Sequence, residues 1–353
     1  MNKFTTACWG YSRWRLLGMS VSLVCLIGPS CSSASGAPHG KPNILFIFAD
    51  DQCHETIHAL GDTEVKTPNL DRLARSGVTF SNAYNMGSWT GAVCVASRTM
   101  LNTGRFVWRA HNANLGQIMR QEQSWSQLLH NAGYETYMTG KWHVGGLKTP
   151  TVFDHVIHER PGMPNQTPEG YQRPVEGQPD KWSPYDPKFG GFWKDGKHWS
   201  EVLGDDATKF LQQAAARDTP FFMYLAFNAP HDPRQSPKRF VDMYPQEQIH
   251  VPENFLPKYP YMSDIGLLHT SKSEDGKITH RFLRDENLAP WPRTEYAVRI
   301  HRQEYYAIIT HMDEQIGRIL TALKKTGKSD NTFIFLPAHQ NSWVNSGSGR
   351  SPS

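Results

Sequence analysis

Strands alternating with helices over most of the chain predict an α/β fold, a mostly parallel central sheet sandwiched by helices. Three observations carry that prediction. Short continuous apolar runs, of which Asn43-Ile-Leu-Phe-Ile-Phe48 is the clearest, suit strands buried on both faces. Helical stretches separate these runs. Finally, Asp50-Asp51, Gly140-Lys-Trp-His143 and His231 each fall just past the end of a predicted strand. Ligands in open parallel sheets bind beyond the carboxyl ends of the strands, so these residues are candidates to converge.

The elements follow in order. The first strand ends at Asp50-Asp51. Thr67-Pro-Asn-Leu-Asp71 opens a helix, with Thr67 as N-cap, Pro68 at the first helical position and Gly77 to close it. Residues 78–84 read as a strand. A short helix runs from Cys94 to near Gly104. Ser124 and Gln127 have capping-box spacing ahead of a helix to about Gly133. Residues 134–139 and 221–227 are strands. Residues 144–220, rich in Gly, Pro, Trp and Asp, read as long surface loops with a helix near 201–216, and 232–300 as further Pro-rich loops. Loops of that length on a rigid scaffold are where substrate selection usually sits. From 304 to 325, Ile308, Met312, Ile316, Ile319 and Leu323 recur at helical spacing. A last strand covers 331–336.

The chain has 353 residues, 38% apolar and 20% charged, which excludes a disordered polyelectrolyte and a polytopic membrane protein. Its net charge is +4, and Lys3, Arg13 and Arg15 lie in the first 36 residues, which hold no acid. The remainder carries 34 basic against 33 acidic residues, so nucleic-acid binding driven by bulk charge is excluded too. Residues 1–36 have the pattern of a secretory signal: a basic start, an apolar run from Leu16 to Gly28, then Ala34-Ser35-Gly36 for cleavage. An uncleaved signal anchor is the alternative. The expected destination is periplasmic or extracellular. Cys31 follows Gly28-Pro29-Ser30, a poor match to a lipid-attachment site. Of the five cysteines, only Cys53 and Cys94 would survive cleavage; export would allow them to pair.

Two segments carry chemistry. Adjacent carboxylates at Asp50 and Asp51 repel, so burying them calls for a cation, and oxygen ligands suit Ca²⁺ or Mg²⁺. A solvated turn is the plain alternative. Cys94-Val-Ala-Ser-Arg98 places a thiol at a helix N-terminus, where amides and the dipole favour an anion, with a fixed positive charge one turn on. That describes a nucleophile in an oxyanion site; an ordinary half-buried cysteine is the alternative.

Cys94-Val-Ala-Ser-Arg98, extended through Gly104-Arg105, resembles the Cys-x-Pro/Ala-Ser-Arg signature of the cysteine-type, formylglycine-dependent sulfatases of the alkaline-phosphatase-like superfamily. The flanks agree: Pro42-Asn-Ile-Leu45, Asp50-Asp51, Thr67-Pro-Asn-Leu-Asp71, Gly140-Lys-Trp-His143, Asn228-Ala-Pro-His231, Tyr305-Tyr306-Ala307 and Asp313 with Gly317. The resemblance spans about 41 to 337 and implies a catalytic domain over 37–337. It implies that a formylglycine-generating or other sulfatase-maturing enzyme oxidises Cys94 to formylglycine. One hydroxyl of the hydrated aldehyde would then attack a sulfate ester, and the second would release inorganic sulfate. It further implies Ca²⁺, ahead of Mg²⁺, on Asp50, Asp51, the modified Cys94 and His339. Arg98 would stabilise the nucleophile. Lys141 would bridge sulfate and leaving oxygen, His143 would assist sulfate release, and His231 would contact sulfate and protonate the departing alcohol.

The sequence departs from the family after the last strand. Ala338 stands where the family has a carboxylate ligand, and His339 aligns with the second ligand. Residues 338–353 turn abruptly to Ser, Gly and Asn and read as an irregular tail, with the family's C-terminal subdomain missing. A shifted frame or early stop would explain the tail, and weak or no activity is the expectation for the chain as written. The function implied is hydrolysis of a sulfate ester, with a sulfated glycan the expected substrate on the strength of the Asn228-Ala-Pro-His-Asp-Pro-Arg234 loop and the Trp-rich insertions, whose tryptophans are either sugar-stacking platforms or, the plainer reading, simply core. Two alternatives stay open: a phosphonate monoester or phosphodiester hydrolase of the same superfamily, and a non-catalytic glycan-binding remnant.

Overall fold

A computed structural model describes residues 40–61, 63–89, 93–160, 162, 167–193, 195–258, 271–272, 278–279 and 287–339. The segment expected to be a signal, with Cys31, and the tail from 340 onward lie outside the described residues.

The chain enters at strand β1 (Asn43–Asp50) and passes through helix α1 (Pro68–Ser76) to α2 (Val93–Thr103), α3 (Val107–His111), α4 (Leu115–Arg120) and α5 (Trp125–Asn131). Strand β2 (Glu135–Lys141), the short α6 (Thr149–Val152) and strand β3 (His155–Arg160) follow, then α7 (Trp199–Ala215) and β4 (Phe221–Pro230). Beyond α8 (Lys238–Val241) and the small β5 (Ser271–Lys272) and β6 (Ile278–Thr279) comes the long α9 (Glu295–Lys325), then β7 (Thr332–Phe335) and β8 (Ala338–His339). The main sheet has the order β3-β2-β4-β1-β7, and every pairing in it is parallel, with β8 joining β1 beyond the end of β7.

Its central strands read as continuous apolar runs because both faces are covered. Leu45, Ile47, Tyr137, Met223, Leu225 and Phe227 point to one layer, where α7 and α9 supply Phe210, Leu211, Met312, Ile316 and Ile319. The alternate residues Phe46, Phe48, Met138, Phe222 and Tyr224 point to the other, closed by Ile118, Trp142, Val144 and Phe153. This is the expected α/β sandwich. Among the described residues no helix is long and apolar enough to cross a membrane.

Three expectations change. Residues 78–84 form no strand: Val78, Phe80 and Tyr84 are 84, 80 and 86% exposed, and no described strand pairs with them. Alternation marks a face but supplies no partner. Conversely β3 lies inside the stretch read as loops. It is a half-buried edge strand, His-Val-Ile-His-Glu-Arg, whose only apolar residues, Val156 and Ile157, make too short a run to mark it. Helix α9 begins nine residues before the periodic stretch, at Glu295, with Thr294 Oγ1 accepting from Ala297 N at 3.2 Å. Cys53 and Cys94 are both free thiols.

The start of α1 is served from a distance. The Thr67 hydroxyl donates to Asp71 at 2.9 Å and makes no capping bond. Instead the buried Asp313 of α9 accepts from Leu70 N at 2.7 Å and Asn69 N at 3.1 Å, and from the Asn69 amide at 2.8 Å. One turn on, a Cβ at Gly317 would fall 2.6 Å from the Asn69 side chain, so glycine is what lets α1 approach α9. Asp313→Ala orphans these amides and is expected to cost about 2–3 kcal/mol in urea unfolding, since several hydrogen bonds to a charged group are lost. A loss within about 0.5 kcal/mol, the range of an ordinary surface change, would contradict this.

A second buried link ties the loop after β3 to α9. Arg173 donates to both Glu304 oxygens, at 2.9 and 2.6 Å, and to Asp180 at 2.6 Å. Burial alone would raise the Glu304 carboxyl; the Arg173 charge and hydrogen bonds from His301 and Arg173 override it and hold it down at about 2. A carboxyl lowered on folding contributes stability above its unfolded value, here 4.5, and loses it as pH falls toward the folded value. Stability is therefore expected to drop between about pH 5 and pH 2, with a flatter drop in Glu304→Gln. Parallel pH profiles for the two proteins would contradict the assignment.

Candidate active site

The carboxyl ends of β1, β2 and β4 and the start of α2 meet at one buried point. At β1 the strand closes on Asp50, and the backbone then turns through Asp51 at φ +69°, a left-handed conformation that costs a non-glycine residue about 1–2 kcal/mol. Tyr305 of α9 pins that turn: its hydroxyl donates to Asp51 O at 2.7 Å and accepts from Cys53 N at 3.0 Å. Asp50 and Asp51 are fully buried, so the solvated-turn alternative is excluded.

At β2 the register against β3 slips between Thr139 and Gly140. Gly140 sits at φ +95°, and a Cβ there would lie 2.0 Å from Ala226 O, so no other residue fits. The slip delivers Lys141, whose Nζ forms a short ion pair with Asp50. Arg98, one turn into α2, donates through Nη1 to Lys141 O at 2.6 Å, and its Nη2 lies 3.5 Å from the other Asp50 oxygen. Its guanidinium also packs 4.6 Å from the centre of the Phe48 ring. The side chains of Asp50, Arg98 and Lys141 have no exposed surface. A buried carboxylate between two buried cations is the arrangement that desolvation permits; any one of the three alone would be expelled or neutralised.

Cys94 is the second residue of α2, as expected, and is buried. Ligand atoms of Asp50, Cys94 and His231 all lie within 4.8 Å of one another. His231 follows β4 directly, and its Nδ1 is 2.9 Å from Asp232 O and 3.0 Å from Asp232 Oδ1. Burial would strip the ring of its proton, but the Asp232 charge and hydrogen bond outweigh it, aided by Cys94 and Asp50. The pKa of His231 is raised well above the ordinary 6.5, which favours the protonated ring.

Of the residues singled out from the sequence, Asp50, Cys94, Arg98, Lys141 and His231 thus come together. Asp51 lies in the adjoining turn. His143 is two residues past Lys141, half-buried at φ +55°, and no described hydrogen bond or ion pair joins it to the cluster. His339 is the register partner of Asp50 and Ala338 that of Ala49, so both stand beside the site in the ladder; the His339 side chain lies outside the described residues. The sequence reading gave no role to Asp232, which orients His231 and was legible only as its neighbour. It also missed Phe48 beneath Arg98 and the pinning of the Asp51 turn by Tyr305.

The arrangement presents Arg98, Lys141, a protonated His231 and the N-terminal end of α2 around one point, which suits a tetrahedral oxyanion. Asp50 and Asp51 are hard oxygen donors of the kind that hold Ca²⁺ or Mg²⁺, so the residues fit a divalent cation; Ala338 adds no donor.

Comparison with known proteins agrees with this chemistry. A family model described as Sulfatase matches residues 42–338. An N-acetylglucosamine-6-O-sulfatase of Bacteroides thetaiotaomicron is 26% identical, over 88% of this chain and 60% of that protein. An ulvan-active sulfatase of Formosa agariphila is 28% identical, over 83% of this chain and 49% of that protein. The chain therefore spans about half to three-fifths of the length of these relatives. Among solved structures, the phosphonate monoester hydrolase of Agrobacterium radiobacter superposes with a TM-score of 0.55 at 21% identity, over 86% of this chain and 64% of that one, a likeness of fold.

Asp50→Ala leaves Arg98 and Lys141 buried without their carboxylate, and is expected to cost about 3–5 kcal/mol in chemical denaturation. A cost below about 1 kcal/mol, the value of an exposed pair, would show that the cluster is not desolvated in solution.

Proposed function

The chain belongs to the sulfatase family, and from that premise we propose that it hydrolyses the sulfate ester of a sulfated carbohydrate after conversion of Cys94 to formylglycine. The observation that carries the reading is the buried convergence of Cys94 with Asp50 and His231, flanked by Arg98 and Lys141. The named activities of the relatives, on a sulfated amino sugar and on ulvan, support the substrate class.

Hydrated formylglycine at position 94 would supply the attacking hydroxyl, and a divalent cation held by Asp50 and Asp51, Ca²⁺ in this proposal, would supply positive charge beside it. The chain's own residues account for the rest. Lys141 and Arg98 place fixed positive charge where the sulfate oxygens would lie. His231 carries a proton, held by Asp232, close to residue 94, where it can be passed to a leaving alcohol. Asp50, Cys94, Arg98, Lys141 and His231 are all buried, so these charges act in a low-dielectric setting. Export and maturation by a separate oxidising enzyme complete the proposal, because the residue must be modified before the site can act.

The test is to co-express the full chain with a sulfatase-maturing enzyme, then analyse the peptide containing residue 94 by mass spectrometry and assay sulfate release from sulfated sugars. The expected result is an aldehyde at 94 and sulfate release that is weak, because Ala338 supplies no metal ligand, is lost in Cys94→Ala, falls on chelation and returns with Ca²⁺. Faster turnover of aryl phosphonates than of any sulfate ester would favour the phosphonate hydrolase alternative. Glycan binding with an unmodified thiol and no turnover would favour a binding remnant.

A further inference from the structure

We propose that Arg160, seated on Trp199, receives a second anionic group of the substrate beside the reacting sulfate, and so selects sugars that carry two negative charges. This deepens the sulfatase reading and rests on it.

Arg160 closes β3 and is the register partner of Lys141, which places it at the same end of the sheet as the candidate site. Its main chain is fixed there by Trp142 N donating to Arg160 O at 2.7 Å. The guanidinium lies 3.5 Å from the centre of the Trp199 ring, and Trp199 is held edge-on against Trp193 at 4.1 Å. Its Nη1 is buried and makes no hydrogen bond, and no described carboxylate pairs with it. Burial alone pulls its pKa down to about 10, because no acid stands near enough to compensate. The adjacent His198 offers no negative charge either: burial, with the charges of His311 and Arg160, keeps its ring neutral.

A partly buried guanidinium without an anion is costly to fold, and every other strongly buried cation described above has a carboxylate: Arg98 and Lys141 have Asp50, Arg173 has Glu304. Arg160 instead faces a hollow it shares with His231, Asn228, His198 and Pro233. The free space there is about 10 Å³, room for one oxygen atom and no more. The geometry therefore points to a single oxygen of a carboxylate or sulfate entering the hollow beside Arg160. The planar fork of arginine suits such an oxyanion.

The shared chemistry, an anionic oxygen, has two sources: a uronic acid carboxylate and a second sulfate. Calorimetric binding to the full chain separates them with three probes, a monosulfated neutral sugar, a disulfated sugar and a monosulfated uronide. In wild type, one or both doubly anionic sugars should bind about tenfold or more tightly than the neutral monosulfate, the value of one charged hydrogen bond. Arg160→Gln should erase that difference and leave the monosulfate affinity within about twofold, whereas Arg160→Lys should keep part of it. Melting temperatures of both variants check that the fold is retained. Equal loss on all three sugars, or no loss on any, would overturn the proposal and mark the hollow as holding a water. No binding of any sulfated sugar by wild type would overturn the glycan-sulfatase reading, and this proposal with it.

Discussion

The structure depends on keeping Asp50 ionised in a place where water does not reach. A lone carboxylate would not stay charged at that depth. Lys141 on one oxygen and Arg98 near the other make it tolerable, and each arrives from a different element. The rest of the site follows from satisfying that requirement. Gly140 lets β2 slip so that Lys141 reaches inward. Phe48 supports Arg98 from below, and Arg98 ties itself back to the Lys141 carbonyl. The lock therefore fixes the relative positions of β1, β2 and α2, and with them the thiol of Cys94.

Around the lock the fold adds two supports from α9. Tyr305 holds the strained turn after Asp50, and Asp313 anchors the start of α1. Both act at more than two hundred residues' separation in the chain, which is why one long helix matters to a site that it does not enter. On the other side, His231 brings a proton held in place by Asp232. The outcome is a compact group of cations beside a carboxylate pair, the charge pattern that a sulfate ester and a divalent ion would complete together.

Much of this was legible in the sequence, and the reason is local. The apolar runs of β1, β2 and β4 identify doubly covered strands, and the reactive residues at their ends are adjacent in sequence to the runs that place them. Cys94 and Arg98 were readable because one helical turn brings them to the same face. What escaped was long-range or unpatterned. Strand β3 lies at the edge of the sheet and has only Val156 and Ile157 as an apolar pair among His, Glu and Arg. Residues 78–84 carry a strand pattern without a described partner. Thr67 occupies the N-cap position, yet the amides it would serve are taken by Asp313 from another helix, which nothing near Thr67 in sequence announces. Arg160 escaped for the same reason: its distinguishing feature is a missing partner, and that is visible only once its neighbours are in place.

The central claim is that this charged cluster is an anion site with an adjoining cation site. A crystal structure of the full chain grown with sulfate and Ca²⁺, with anomalous data to identify the metal, tests it most directly. The account predicts an anion in contact with Lys141, His231 and residue 94, and a cation on Asp50 and Asp51. An ordered site with neither, and with Lys141 still closed on Asp50, would contradict it.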